Sequence, residues 1–90
     1  MNQKITPYVA THPGEVLKDE LIERGIKQKD FAFEISMQAT MLNEILKGKR
    51  PITADIAILI EKALGISADY WMKFQVQYEI DNARIKEKNR

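Results

Sequence analysis

The chain has 90 residues, enough for one domain and too few for two, because a chain this short buries only about two-thirds of its surface on folding. A composition of 44% hydrophobic and 30% charged residues, with 4 Gly, 3 Pro and no Cys, excludes collagen-like, low-complexity and wholly disordered classes, a disulfide framework, a thiol nucleophile and cysteine-ligated metal sites. With 14 basic against 13 acidic residues the net charge is +1, so any nucleic-acid surface must be local rather than a bulk polycation.

Residues 1–11 carry no periodicity and read as a flexible lead. The stretch from Met1 to Pro7 has no apolar signal core, and the longest apolar run, Ile56 to Ile60, is far short of a membrane span, so a cytoplasmic protein with no membrane partner is expected. His12 precedes Pro13, which biases it to extended backbone at a helix entrance; Pro13 fits a first helical turn, where its missing N–H costs nothing. Leu17 and Leu21 form an i, i+4 pair and Gly25 is a stop, which predicts a first helix over 13–24. Its carboxylates, Glu15, Asp19, Glu20 and Glu23, alternate with Lys18 and Arg24 and read as a solvated face rather than an acid/base pair. The second helix spans about 28–35, with Phe31, Ala32 and Ile35 inward and Asp30 suiting the dipole in its first turn. Phe33 falls off that apolar face.

After a turn at Ser36, Met37 and Gln38, a third helix runs over 39–46 and ends before Gly48. At 100° per residue, Met41, Leu42, Ile45 and Leu46 share one face; Thr40, Asn43, Glu44 and Lys47 take the other, with Ala39 at its margin. Thr53 caps a fourth helix whose apolar face is Ile56, Leu59, Ile60, Ala63 and Leu64, with Ile58 off that face and Gly65 as the stop. Ser67 caps a fifth helix that extends past Asn82 into the charged tail at 83–90. No alternating β-branched run appears. The expected fold is all-α, a five-helix helix-turn-helix domain over 12–82.

Catalysis has little to work with. One histidine and two serines (Ser36 and Ser67), no Gly-rich phosphate loop and no His-Glu-x-x-His pair argue against an enzyme, a bound metal or a cofactor. Helices two and three, joined by a short turn and each with one apolar stripe, suit docking on DNA instead: one helix crosses the backbone while the next presents its outer face to the major groove. On that face Asn43 can pair with adenine, Thr40 and Ala39 can meet a base or a thymine methyl, and Glu44 can accept from a cytosine amino group. Gln28 and Gln38, at the helix starts, can reach phosphates or base edges. Lys47, Lys49 and Arg50 place three cations in four residues, where they would neutralise phosphates and release counterions. The same two-helix pattern also occurs in domains that bind only proteins, and the pattern alone leaves both readings open.

The stretch from Gln28 to Ala32 with that from Asn43 to Arg50 resembles the repressor-type helix-turn-helix superfamily. The flanks, His12-Pro13-Gly14-Glu15-Val16-Leu17 before it and Ala63-Leu64-Gly65-Ile66-Ser67-Ala68-Asp69-Tyr70-Trp71 after it, narrow the resemblance to the HigA/VapI antitoxin family over roughly residues 11–80. The resemblance implies an antitoxin of a type II pair that binds double-stranded operator DNA as a dimer, represses its own synthesis and neutralises a RelE-like mRNA-cleaving toxin; the alternative is a stand-alone repressor of a phage or mobile element. The family has Gly where this chain has Ser36, and Ser or Thr where it has Lys27 and Gln38, so helices two and three should be less firmly fixed or the turn should take another geometry.

Helix five carries two apolar stripes, Trp71, Phe74, Tyr78 and Ile85 (with Tyr70 beside them) and Met72, Val76 and Ile80. One stripe can serve the core; the other needs a partner, and a homodimer through Met72, Val76 and Ile80 is expected.

Overall fold

In the computed structural model, which describes residues 9–89, the chain forms α1 (Pro13–Glu23), α2 (Gln28–Glu34), α3 (Ala39–Leu46), α4 (Ala54–Leu64) and α5 (Ala68–Lys88), with no strand among the described residues. Residues 1–8 and Arg90, and with them most of the expected lead and the last residue of the expected tail, lie outside the described residues. None of the described helices is long and apolar enough to cross a membrane.

Local chemistry sets the helix ends. Pro13 opens α1, and Thr53 and Ser67 cap α4 and α5, their hydroxyls accepting from the Ile56 and Asp69 N–H groups at 3.4 and 3.1 Å. Lys27 and Gln38 make no side-chain cap, as their chemistry implies. Nevertheless α2 and α3 are regular, because burial of Phe31, Ala32, Leu42, Ile45 and Leu46 fixes them from inside. The turn between them keeps the left-handed conformation despite lacking glycine: Ser36 has φ +57°, the Ser36 N–H donates to the Phe33 carbonyl and the Met37 N–H to the Ala32 carbonyl. A left-handed L-residue costs about 1–2 kcal/mol, which the two carbonyls satisfied at the end of α2 offset.

The core gathers Leu17 and Leu21 from α1, Phe31, Ala32 and Ile35 at α2, Leu42, Ile45 and Leu46 from α3, Ile56, Ala57, Ile60 and Leu64 from α4, Trp71 from α5 and Ile52 from the α3–α4 linker. α2 packs on α3, α4 on α5, and α1 on both α3 and α5. This leaves the polar side of α3 facing outward.

α5 departs from the expected apolar stripe. Trp71 is fully buried, whereas Phe74, Tyr78 and Ile85 are only half-buried, and the second core-facing residue is Gln75, 4% exposed. Its Oε1 accepts the Ile52 N–H at 2.9 Å and its Nε2 donates to Glu79 at 2.9 Å. The linker supplies no helix or sheet partner for that buried N–H, so an amide side chain does the work an apolar one could not. Beyond Asn82 the helix continues through the charged tail to Lys88, with Lys86 and Lys88 placed where cations suit its C-terminal dipole.

Candidate nucleic-acid interface

α3 presents the face that its 100° spacing sets out. Gln38, Ala39, Thr40 and Lys47 are exposed and Asn43 and Glu44 half-buried, while Leu42, Ile45 and Leu46 are in the core and Met41 packs at its edge. Gln28, exposed at the first position of α2, reaches across the turn: its Nε2 donates to Asn43 Oδ1 at 3.3 Å. The structure thus brings Gln28 and Asn43 together on one surface with Ala39 and Thr40.

The basic turn follows from how α3 ends. Gly48 has φ +76°, its N–H donates to the Ile45 carbonyl at 3.0 Å, and the Lys49 N–H donates to the Glu44 carbonyl at 2.8 Å. This reversal carries the chain back along α3. Lys47 and Lys49 stay exposed, but Arg50 turns onto Glu44, its Nε and Nη2 donating to Oε1 at 3.0 and 2.7 Å. The three cations are therefore not equivalent, and the pairing of two expected DNA contacts, Glu44 and Arg50, with each other is a feature sequence spacing did not reveal.

The entrance of α1 supports this turn from behind. His12 is buried and caps α1, with the Gly14 N–H donating to its Nδ1 at 2.8 Å. That bond requires the neutral imidazole with its proton on Nε2. Burial holds its pKa below the ordinary histidine value, partly opposed by the Glu15 carboxylate. The ring meets Tyr78 of α5 edge-on, with centroids 4.6 Å apart, and lies against Gly48, where an added Cβ would stand 3.5 Å from it. At Gly14 a Cβ would overlap the Ile45 carbonyl, so only glycine lets α1 approach the end of α3 this closely. His12 is the helix entrance that its place before Pro13 indicates; the capping by its ring and the contact with α5 were not legible there.

Of the residues expected at a dimer interface, Val76 and Ile80 are 50% and 39% exposed, and Met72 is half-buried against the core edge. Met72 and Val76 line an open groove with Asp69, Lys73 and Gln77. Phe33, 87% exposed, and Ile58 stand off the apolar faces of their helices, as their spacing implies. Among the described residues, no group of three or more His, Cys, Asp or Glu side chains is placed to hold a metal ion.

The sequence profile of the Helix-turn-helix family matches residues 17–71. Virulence-associated protein I of Dichelobacter nodosus is 32% identical over 75 residues, which span 82% of this chain and 69% of that protein. An addiction module antidote protein of the HigA family from Coxiella burnetii superposes with a TM-score of 0.83 at 30% identity, covering 90% of this chain and 89% of that one. The Pseudomonas aeruginosa antitoxin HigA, solved with the higBA promoter, gives a TM-score of 0.81 at 34% identity over 88% of this chain and 87% of that one. Matched over most of its length, with the outward α3 face and the His-Pro-Gly entrance in place, this chain belongs to the helix-turn-helix family, and within it to the HigA/VapI type.

Proposed function

We propose that this chain is a DNA-binding antitoxin that represses its own operator as a homodimer and neutralises a RelE-like toxin. The observation that carries the DNA reading is the exposed polar face of α3, flanked by Gln28 on one side and the basic turn on the other. Ala39, Thr40 and Asn43 are the base-reading residues, with Gln38 at the helix start and Glu44 beside them. Gln28, Lys47 and Lys49 anchor phosphates, while Arg50, the third cation of the turn, is held on Glu44. The Pseudomonas aeruginosa antitoxin HigA, solved with the higBA promoter, supports the DNA-binding reading by likeness of fold and sequence.

Dimerisation rests on the exposed strip at Val76 and Ile80, continued by Met72. A two-fold axis there would set two α3 helices about one DNA turn apart, roughly 34 Å, which calls for an inverted-repeat operator. The test is titration of the full chain against the DNA upstream of its own gene, alongside sedimentation of wild type and Val76→Glu. Protection of an inverted repeat by wild type and dissociation of the variant to a monomer are expected. A monomeric wild type that protects one half-site contradicts the dimer. Co-purification with the product of a small adjacent gene separates the antitoxin from the stand-alone repressor.

A further inference from the structure

The three cations after α3 differ in what they face. Lys47 and Lys49 are exposed and meet no carboxylate among the described residues, whereas the Arg50 guanidinium is committed through two nitrogens to a single oxygen of Glu44. The backbone brings the two side chains together. The left-handed Gly48 and the Lys49 N–H on the Glu44 carbonyl fold the chain back, Pro51 restricts the next step, and Ile52 is buried with its N–H on Gln75. Both side chains keep 47% and 43% of their surface, so the pair stands on the same outward surface as Asn43, open to a ligand.

A carboxylate at such a place repels phosphate, and one on a face meant for DNA needs a reason. Arg50 occupies Oε1, and Oε2 has no partner among the described residues; on a duplex the groups that satisfy it are base-edge amino groups, cytosine N4 foremost. We propose that the Glu44–Arg50 pair is a selectivity element: Glu44 withholds Arg50 from the phosphates of arbitrary DNA and favours a site that offers an amino group to its free oxygen. This inference rests on the DNA-binding reading. It assigns Arg50 a restrained role that a simple tally of cations would miss, and it gives a surface otherwise lacking a recognition arginine a means of rejecting wrong sequences.

The experiment compares wild type, Glu44→Gln, Arg50→Met and the double variant on two duplexes, the chain's own upstream DNA and a random sequence of equal length, over a salt series. Circular dichroism checks that each variant is folded. On the random duplex, Glu44→Gln is expected to bind several-fold more tightly than wild type, with the slope of log affinity against log salt steeper by about 0.9, one additional phosphate contact. The ratio of own to random affinity falls. In the Arg50→Met background the same change leaves the slope where it was. An unchanged slope in Glu44→Gln, or an equal steepening with Arg50 absent, overturns the inference while leaving DNA binding intact. Failure of wild type to bind either duplex at low salt overturns both.

Discussion

Replacing Gln75 by Leu removes a buried acceptor, and with it a donor to Glu79, at nearly constant volume. In the folded chain its Oε1 accepts the Ile52 N–H at 2.9 Å, both residues are buried, and the linker offers that N–H no other partner among the described residues. Leucine would leave the donor buried and unsatisfied, a penalty of about 1–3 kcal/mol. The bond to Glu79 adds little, because Glu79 is exposed and free to turn to water. For a domain of this size each kcal/mol moves the midpoint by roughly 4–8 °C, so a fall on the order of 10 °C is expected for Gln75→Leu. A fall of no more than about 4 °C is expected for Glu79→Ala, which leaves the Ile52 bond in place. Thermal unfolding followed by circular dichroism, with urea titration to confirm an unchanged m-value, measures both. A Gln75→Leu variant as stable as wild type would refute the reasoning, since it would mean that the unsatisfied linker N–H costs no more than the added apolar burial of leucine returns.

Two further outcomes follow from the helix ends. Neutral His12 caps α1, and its pKa is held below the ordinary value near 6.5. The unfolded chain therefore takes up the proton first, so stability is full above about pH 6.5 and declines as pH falls below it. Urea titrations at pH 7.5 and 5.5 should show this loss in wild type and not in His12→Asn, whose amide caps without titrating; an equal loss in both would place the acid sensitivity elsewhere. At Ser36, glycine should relieve about 1–2 kcal/mol of left-handed strain while adding about 0.5–1 kcal/mol of unfolded-state freedom. The net is a midpoint raised by a few degrees for Ser36→Gly, and a lowered one would show that the serine is not strained.

Much of the scaffold was legible because local chemistry decides it. Pro13, Thr53 and Ser67 mark helix starts, Gly48 and Gly65 mark ends, and the 100° spacing of Leu42, Ile45 and Leu46 turns Thr40 and Asn43 outward whatever the rest of the chain does. What escaped depends on contacts distant in sequence. Gln75 faces the core because of a backbone N–H 23 residues away, and periodicity alone assigns a polar residue to the surface. The one cheap signal was its place four residues after Trp71, on the same side of α5. Arg50 meets Glu44 only through the reversal at Gly48, which spacing along a straight helix cannot show. His12 was placed at a helix entrance by its neighbour Pro13, but its contacts with Gly48 and Tyr78 arise from the packing of α1 against α3 and α5.

Anisotropy titration of wild type, Asn43→Ala and Lys49→Ala against the chain's own upstream duplex and a scrambled one tests the proposed interface most directly. Asn43→Ala should lose about 1–3 kcal/mol on the first duplex and almost nothing on the second. Lys49→Ala should lose on both, with a salt slope shallower by about 0.9. Equal affinity of Asn43→Ala and wild type for the upstream duplex, or no binding by wild type at low ionic strength, would contradict the assignment of the α3 face to DNA.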